Sequence, residues 1–151
     1  RDVPSAEGLL IGGGVSADLQ AEAERAGVRT TGFVDDPRPW LGSAVVLALS
    51  LRSGSGQRGR VIEAVALGVP VVGYPEALEG LELADGEGIL VARDAEDFSR
   101  ALRRLLRDPA EGRRIGARGR ECVLERYGWS ATYGKFPELY TRLLDEAGTR
   151  R

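Results

Sequence analysis

The residues best suited to chemistry lie in the stretch "SLRSGSGQRGRVIEAVALGVP", Ser50 to Pro70. There Gly54, Ser55 and Gly56 run into Arg58, Arg60 and Glu63. A glycine-rich turn that opens a helix leaves the first backbone N–H groups pointing at solvent, and the helix dipole favours an anion in front of them. Arg58 and Arg60 add donors for charge-assisted hydrogen bonds. Glu63 falls within about the first two turns, where its carboxylate is a good acceptor for a pair of sugar hydroxyls. Diphosphate plus ribose is the ligand chemistry this segment suits. The competing reading is an Arg60–Glu63 ion pair above a loop, worth only ~0.2–0.5 kcal/mol.

Two other loops carry weaker signals. In "IGGGVSA", Gly12, Gly13 and Gly14 follow a strand pattern and open a helix. Gly12, Gly14 and Ala17 fit a G-x-G-x-x-A dinucleotide fingerprint, with Asp35 and Asp36 at a suitable distance downstream. A tight strand-to-helix turn explains the same glycines equally well. In "GFVDDPRPW", backbone around Phe33 and Val34 is placed to line one side of a planar base. Asp35 or Asp36 is equally a cap for the short segment holding Trp40 and Leu41.

Composition excludes several function classes. The chain has 151 residues, 42% hydrophobic and 29% charged, enough for one folded domain. A net charge of −2 argues against nucleic acid or an anionic membrane as a general electrostatic partner. The chain contains no His, which removes Ser-His and Cys-His nucleophilic pairs. The single cysteine, Cys122, leaves neither a disulfide framework nor a Cys/His zinc site, so no metal is expected. Cys122 sits in a helical pattern and reads as a small buried hydrophobe. The run "AVVLAL" is too short to span a bilayer.

The elements that must position these loops alternate regularly. Apolar runs at 8–12, 28–34, 44–50, 69–74 and 88–92 predict strands. Helical spacing predicts helices over 17–27, 60–68, 94–108, about 109–127 and about 136–147. Gly27 and Gly68 close two of these helices and Asp94 caps another. Gly112, Gly116 and Gly119 argue against the fourth. Buried strands alternating with helices imply an α/β fold, a Rossmann-like parallel sheet with helices on both faces. In such sheets ligands bind at the C-terminal ends of the strands, where all three loops fall.

Five segments in this order, "LLIGGG", "GVRTTGFVDDPRPWL", "AVVLALSLRSGSGQRGRVIEAVALGVPVV", "EGLELADGEGILV" and "RDAEDFSRALRRLLRDPAEGRRIGARGRECVLERYGWS", resemble the C-terminal half of GT-B-fold glycosyltransferases of family 4. The resemblance covers about residues 7–145 and is nearest a bacterial subgroup with "P-L-R-x-G-S-G-x-R-x-K-x-x-E-A". It implies a nucleotide-sugar-binding domain over 1–147 with a tail at 148–151. It also implies that Glu63 holds the donor ribose, that Gly54–Gly56 faces the sugar and diphosphate, and that Phe33 and Val34 lie near the base. Gly12–Gly14 would border the interdomain cleft, and the loop at Glu79 would approach the donor.

Three departures accompany the likeness. Ser55 stands where the wider family often has a second glutamate, eight positions before Glu63. Arg60 replaces a lysine, a planar fork for a compact ammonium. The chain begins at what resembles the second strand of the domain. The resemblance therefore implies a missing N-terminal domain that holds the acceptor, a cell-envelope glycan or glycolipid, and little turnover by this chain alone. No residue here is given a catalytic role and no cofactor is implied beyond the nucleotide-sugar substrate. The expected setting is the cytoplasm, peripheral to the inner face of the membrane in the full-length protein. The alternatives are an NAD(P)-binding oxidoreductase domain using Gly12, Gly14, Ala17 and Asp35, and a non-catalytic α/β module that binds partners through its loops.

Overall fold

In the computed structural model, which describes residues 3, 5–53, 59–134 and 136–148, strands and helices alternate as the apolar runs predict. The order is β1 (Gly8–Leu10), α1 (Ala17–Arg25), β2 (Val28–Thr30), α2 (Arg38–Gly42), β3 (Leu47–Leu49), α3 (Gly59–Ala66), β4 (Val71–Gly73), α4 (Pro75–Leu78) and β5 (Ile89–Val91). Four helices complete it: α5 (Ala95–Arg107), α6 (Pro109–Tyr127), α7 (Trp129–Tyr133) and α8 (Phe136–Gly148). The expected strands are present but shorter than their apolar runs. Short α4 and α7 are additions that periodicity could not register, while α2 forms on the short segment holding Trp40 and Leu41. The tail at 149–151 lies outside the described residues.

Among the described residues every strand ladder is parallel, and one isolated antiparallel bridge joins Gly12 to Gly32. β1 pairs with β2, Leu9 opposite Arg29, while β4 lies between β3 and β5 with Val72 opposite Ala48 and Leu90. Among the described residues β1 and β3 share no ladder, so the strands form a pair and a triplet. All three residues of β4 are buried, as a strand covered on both faces requires. Alternation sends Val71 into one core cluster with Leu41, Val61, Val65, Ile89 and Val123. Val72 and Tyr74 enter the other, with Leu90, Leu105 and Ile115. The core is uneven along the chain: from residue 5 to 40, Ala23 is the one buried side chain.

Helix boundaries follow capping chemistry. Asp94 accepts from the Asp97 N–H at 2.8 Å to start α5, matching the sequence expectation. Asp108 accepts from the N–H groups of Ala110 and Glu111, at 3.1 and 3.0 Å, to start α6 behind Pro109. Gly68, with φ +78°, closes α3, and the Val69 N–H turns back to the Ala64 carbonyl. The glycines that argued against α6 do not interrupt it. Gly112, Gly116 and Gly119 share its buried side, where backbone meets backbone; a Cβ on Gly116 would stand 1.9 Å from the Gly68 carbonyl oxygen. Tertiary approach here outweighs helix propensity. Pro137 occupies the second position of α8 and begins that helix without breaking it.

Cys122 is buried, as its helical setting predicts, and burial pushes its thiol pKa up. Beside it, Glu87 ties the segment before β5 to α6. Its carboxylate accepts from Arg126 at 2.8 Å and from the Ala84 N–H at 3.1 Å, which lowers its pKa to about 2. The unfolded chain takes up that proton near the ordinary carboxylate value of ~4.3. Between the two values the unfolded state binds more protons, so this contribution to stability is full at neutral pH and fades as pH falls towards 2. Glu87→Gln should therefore lower Tm at pH 7, with the gap from the parent closing as pH approaches 2. Coincident melting curves at pH 7 would show that the pair stabilises nothing.

Candidate functional site

The loops singled out by sequence all leave the C-terminal ends of parallel strands. After β1, Gly12 and Gly14 hold φ values of +134° and +77° that side chains disfavour. The Gly12 N–H donates to the Gly32 carbonyl at 3.1 Å, and a Cβ on Gly13 would sit 3.4 Å from the Phe33 Cβ. The glycine loop is thus folded against the loop after β2, which presents Phe33 80% exposed and Val34 half-buried. Ser16 caps α1 by accepting from the Leu19 N–H at 3.2 Å, so one of the donors free for a phosphate there is already engaged.

The aspartates of the second loop differ from the simple cap expected of them. The residue in cap position before α2 is Pro37, without a side-chain bond. Asp36 serves from one residue further out: it accepts from the Arg38 N–H at 3.0 Å and grips the Arg38 guanidinium at 2.8 and 3.0 Å. Those hydrogen bonds lower its pKa. Arg38 also feels the charge of Glu63, which puts the loop after β2 within electrostatic reach of α3. Buried Leu41, at the end of α2, packs with Val61 of α3 and fixes that approach.

In the third loop, Gly54, Ser55, Gly56 and Arg58 lie outside the described residues. On either side of them the chain is defined. Val61, Ala64 and Val65 turn α3 into the core, which leaves Arg60 and Glu63 on its outer side. The Arg60 Nη1 donates to Glu63 Oε2 at 3.2 Å, with both side chains half exposed. The ion pair of the competing reading is therefore present. At such exposure it is worth only a few tenths of a kcal/mol, which leaves Glu63 free to exchange Arg60 for a stronger partner.

Glu79 follows α4, exposed, ahead of Gly80 with φ +77°. Sequence reasoning did not single out Arg52 or Tyr74. The Arg52 guanidinium lies over the Tyr74 ring, 3.9 Å from its centroid. That pairing depends on the register of β3 against β4, which sequence does not display. Among the described residues no group of three or more His, Cys, Asp or Glu side chains is placed to hold a metal ion. No described helix is long and apolar enough to cross a membrane.

Comparison with known proteins agrees with the fold. A family model described as glycosyl transferases group 1 matches residues 1–108. The chain is 33% identical over 115 residues to the lipopolysaccharide core biosynthesis glycosyltransferase LpsE of Rhizobium meliloti, a match covering 74% of this chain and 33% of that protein. It is 30% identical over 106 residues to the trehalose synthase of Pyrococcus horikoshii, covering 70% of this chain and 24% of the relative. Among solved structures it superposes on sucrose-phosphate synthase from Thermosynechococcus elongatus with a TM-score of 0.73 and 26% identity. That match covers 91% of this chain and 38% of the synthase. The chain spans a third or less of the curated relatives it matches.

Proposed function

This chain belongs to the group 1 glycosyl transferases, and from that premise we propose that it binds the nucleoside-diphosphate sugar for an enzyme that moves the sugar to an acceptor glycan or glycolipid. The observation that carries the reading is the half-exposed Glu63 carboxylate on the outer side of α3, paired with Arg60 and within electrostatic reach of Arg38 at the start of α2. On this reading the ribose hydroxyls donate to Glu63. The diphosphate meets the N-terminus of α3 with Arg58 and Arg60. Phe33 and Val34 flank the base, Gly12–Gly14 border the cleft, and the loop at Glu79 approaches the sugar. Ser55, in place of a glutamate, would offer the sugar a hydroxyl without the charge of a carboxylate.

Catalysis in this scheme is electrostatic. Negative charge grows on the diphosphate as the glycosidic bond breaks, and donors already in place around it lower the barrier without reorganising. The scheme includes no metal ion. On this reading the residues named here serve the donor, and none of them is given the acceptor or the transfer of its proton.

Calorimetry with UDP-, GDP- and ADP-sugars against NAD(H) tests the reading. One nucleotide sugar should bind, with affinity unchanged by a chelator, and NAD(H) should not. Binding of NAD(H) that disappears in Gly14→Ala would instead assign the chain to the dinucleotide-binding class. A chain that binds none of these ligands would sink the proposal.

A further inference from the structure

Two consecutive side chains in the last turn of α6 hold a single peptide unit remote in sequence. The Glu82 N–H donates to the Tyr127 hydroxyl at 2.6 Å, and the Glu82 carbonyl accepts from the Arg126 Nη1. Glu87 steadies that guanidinium in turn, accepting from Nη1 at 2.8 Å and from Nη2 at 3.3 Å. Glu82 belongs to neither helix nor strand, so α6 supplies the partners that regular structure would otherwise give its backbone. Just upstream, the Leu81 N–H donates to the Leu78 carbonyl at 3.3 Å. Glu79 has φ −58° and ψ 141°, and Gly80 has φ +77°, which makes a type II turn with exposed Glu79 at its corner. Buried Leu78 anchors one end of this turn and the clamped Glu82 the other. The turn stands beyond the C-terminal end of β4, the strand beside β3. Leu78, Leu81, Leu83 and Tyr127 pack on the core cluster that holds Val61 and Val65 of α3. α6 also meets α3 directly, where the Arg120 Nε donates to the Ala66 carbonyl at 3.1 Å. The Glu79 turn and the helix bearing Glu63 are thus fixed against one shared core.

We propose that Tyr127 and Arg126 are positioning residues for the donor sugar: by clamping Glu82 they hold the Glu79 turn where the sugar, and not the nucleotide, meets it. This rests on the donor-domain reading above and adds to it two residues that touch no ligand themselves. A turn held in advance loses little freedom when the ligand arrives, so the clamp contributes to sugar affinity through preorganisation alone.

The test measures UDP-, GDP- and ADP-glucose against UDP, GDP and ADP by calorimetry, on the parent chain, Tyr127→Phe, Arg126→Gln, Arg126→Lys, Glu79→Gln and Glu63→Ala. Tyr127→Phe keeps the ring in the core and removes only the acceptor of the Glu82 N–H. It should weaken the nucleotide sugar roughly three- to tenfold, the share of one neutral hydrogen bond, and leave the nucleoside diphosphate unchanged. Arg126→Gln, which also frees Glu87 and lowers Tm, should show the same split, and Arg126→Lys, which keeps a donor for the Glu82 carbonyl, should regain part of the loss. Glu79→Gln should weaken the nucleotide sugar alone. Glu63→Ala should weaken both ligands alike, because both carry the ribose. Equal weakening of both ligands by Tyr127→Phe, or of neither, overturns the inference, as does a Glu79→Gln chain that binds both as the parent does. If Glu63→Ala weakens both ligands while Tyr127→Phe spares both, only the clamp inference falls. A parent chain that binds none of these nucleotide sugars ends the donor-domain reading and takes this one with it.

Discussion

Gly116→Ala is expected to melt far below the parent chain, although alanine is the better helix former. An added Cβ would lie 1.9 Å from the Gly68 carbonyl oxygen and 2.7 Å from its carbon. Both are backbone atoms at the closure of α3, so no rotamer change relieves the clash, and α6 must move away from the strands. Overpacking against yielding side chains costs about 1–3 kcal/mol; with backbone on the other side ~3 kcal/mol or more is expected. In a chain this long that corresponds to a fall in Tm of roughly 6–12 °C. Gly112→Ala provides the contrast on the same helix, because its Cβ would meet nothing nearer than Pro70 at 3.9 Å. There the gain in helix propensity, up to ~1 kcal/mol, should raise Tm or leave it unchanged. Thermal melts of the two variants decide the matter; a Gly116→Ala chain as stable as Gly112→Ala would contradict the close approach of α6 to α3.

Glu63→Ala should leave the fold intact and remove most donor affinity. Its ion pair with Arg60 is half exposed, so stability changes by a few tenths of a kcal/mol at most. Binding is different. A carboxylate that accepts from two ribose hydroxyls makes charged hydrogen bonds worth ~1.5–3 kcal/mol each, and their truncation leaves both hydroxyls without a partner. A loss of roughly a hundredfold in affinity, about 3 kcal/mol, is the expected outcome. Calorimetry with a 2′,3′-dideoxy nucleotide sugar isolates the cause. The parent should bind it about as weakly as Glu63→Ala binds the ribonucleotide, and combining the two changes should cost little more than either alone. Full affinity in Glu63→Ala, or independent losses, would remove Glu63 from the ribose.

Much of this architecture is legible in the chain because buried parallel strands must be continuous apolar runs. Val71 and Val72 of β4, and Ile89 and Leu90 of β5, announce themselves in that way. Helix ends were equally readable where a single residue type does the work, as with Asp94 and Gly68. What failed to show depends on neighbours distant in sequence. The glycines of α6 look like helix breakers until Gly68 and Gly88 are placed against them. Asp36 looked like a cap and turned out to hold Arg38 from a step further out. In the candidate site, Arg60 and Glu63 drew attention by following a run of glycines, and the structure shows them paired on the outer side of α3. The contact of Arg52 with Tyr74 was not legible, because it joins segments that follow two neighbouring strands.

The uneven core has a dynamic consequence. Backbone amides of β4, sealed by side chains on both faces, exchange with solvent only when the whole fold opens, whereas those of β1 and β2, anchored by one buried alanine, need only a local opening of lower free energy. Phe33, Val34 and the Gly12–Gly14 turn stand on that looser part; Arg60 and Glu63 stand on the firmer one. A ligand spanning both would therefore shift the local equilibrium toward the closed form, and part of its intrinsic affinity would appear as slowed exchange in β1 and β2.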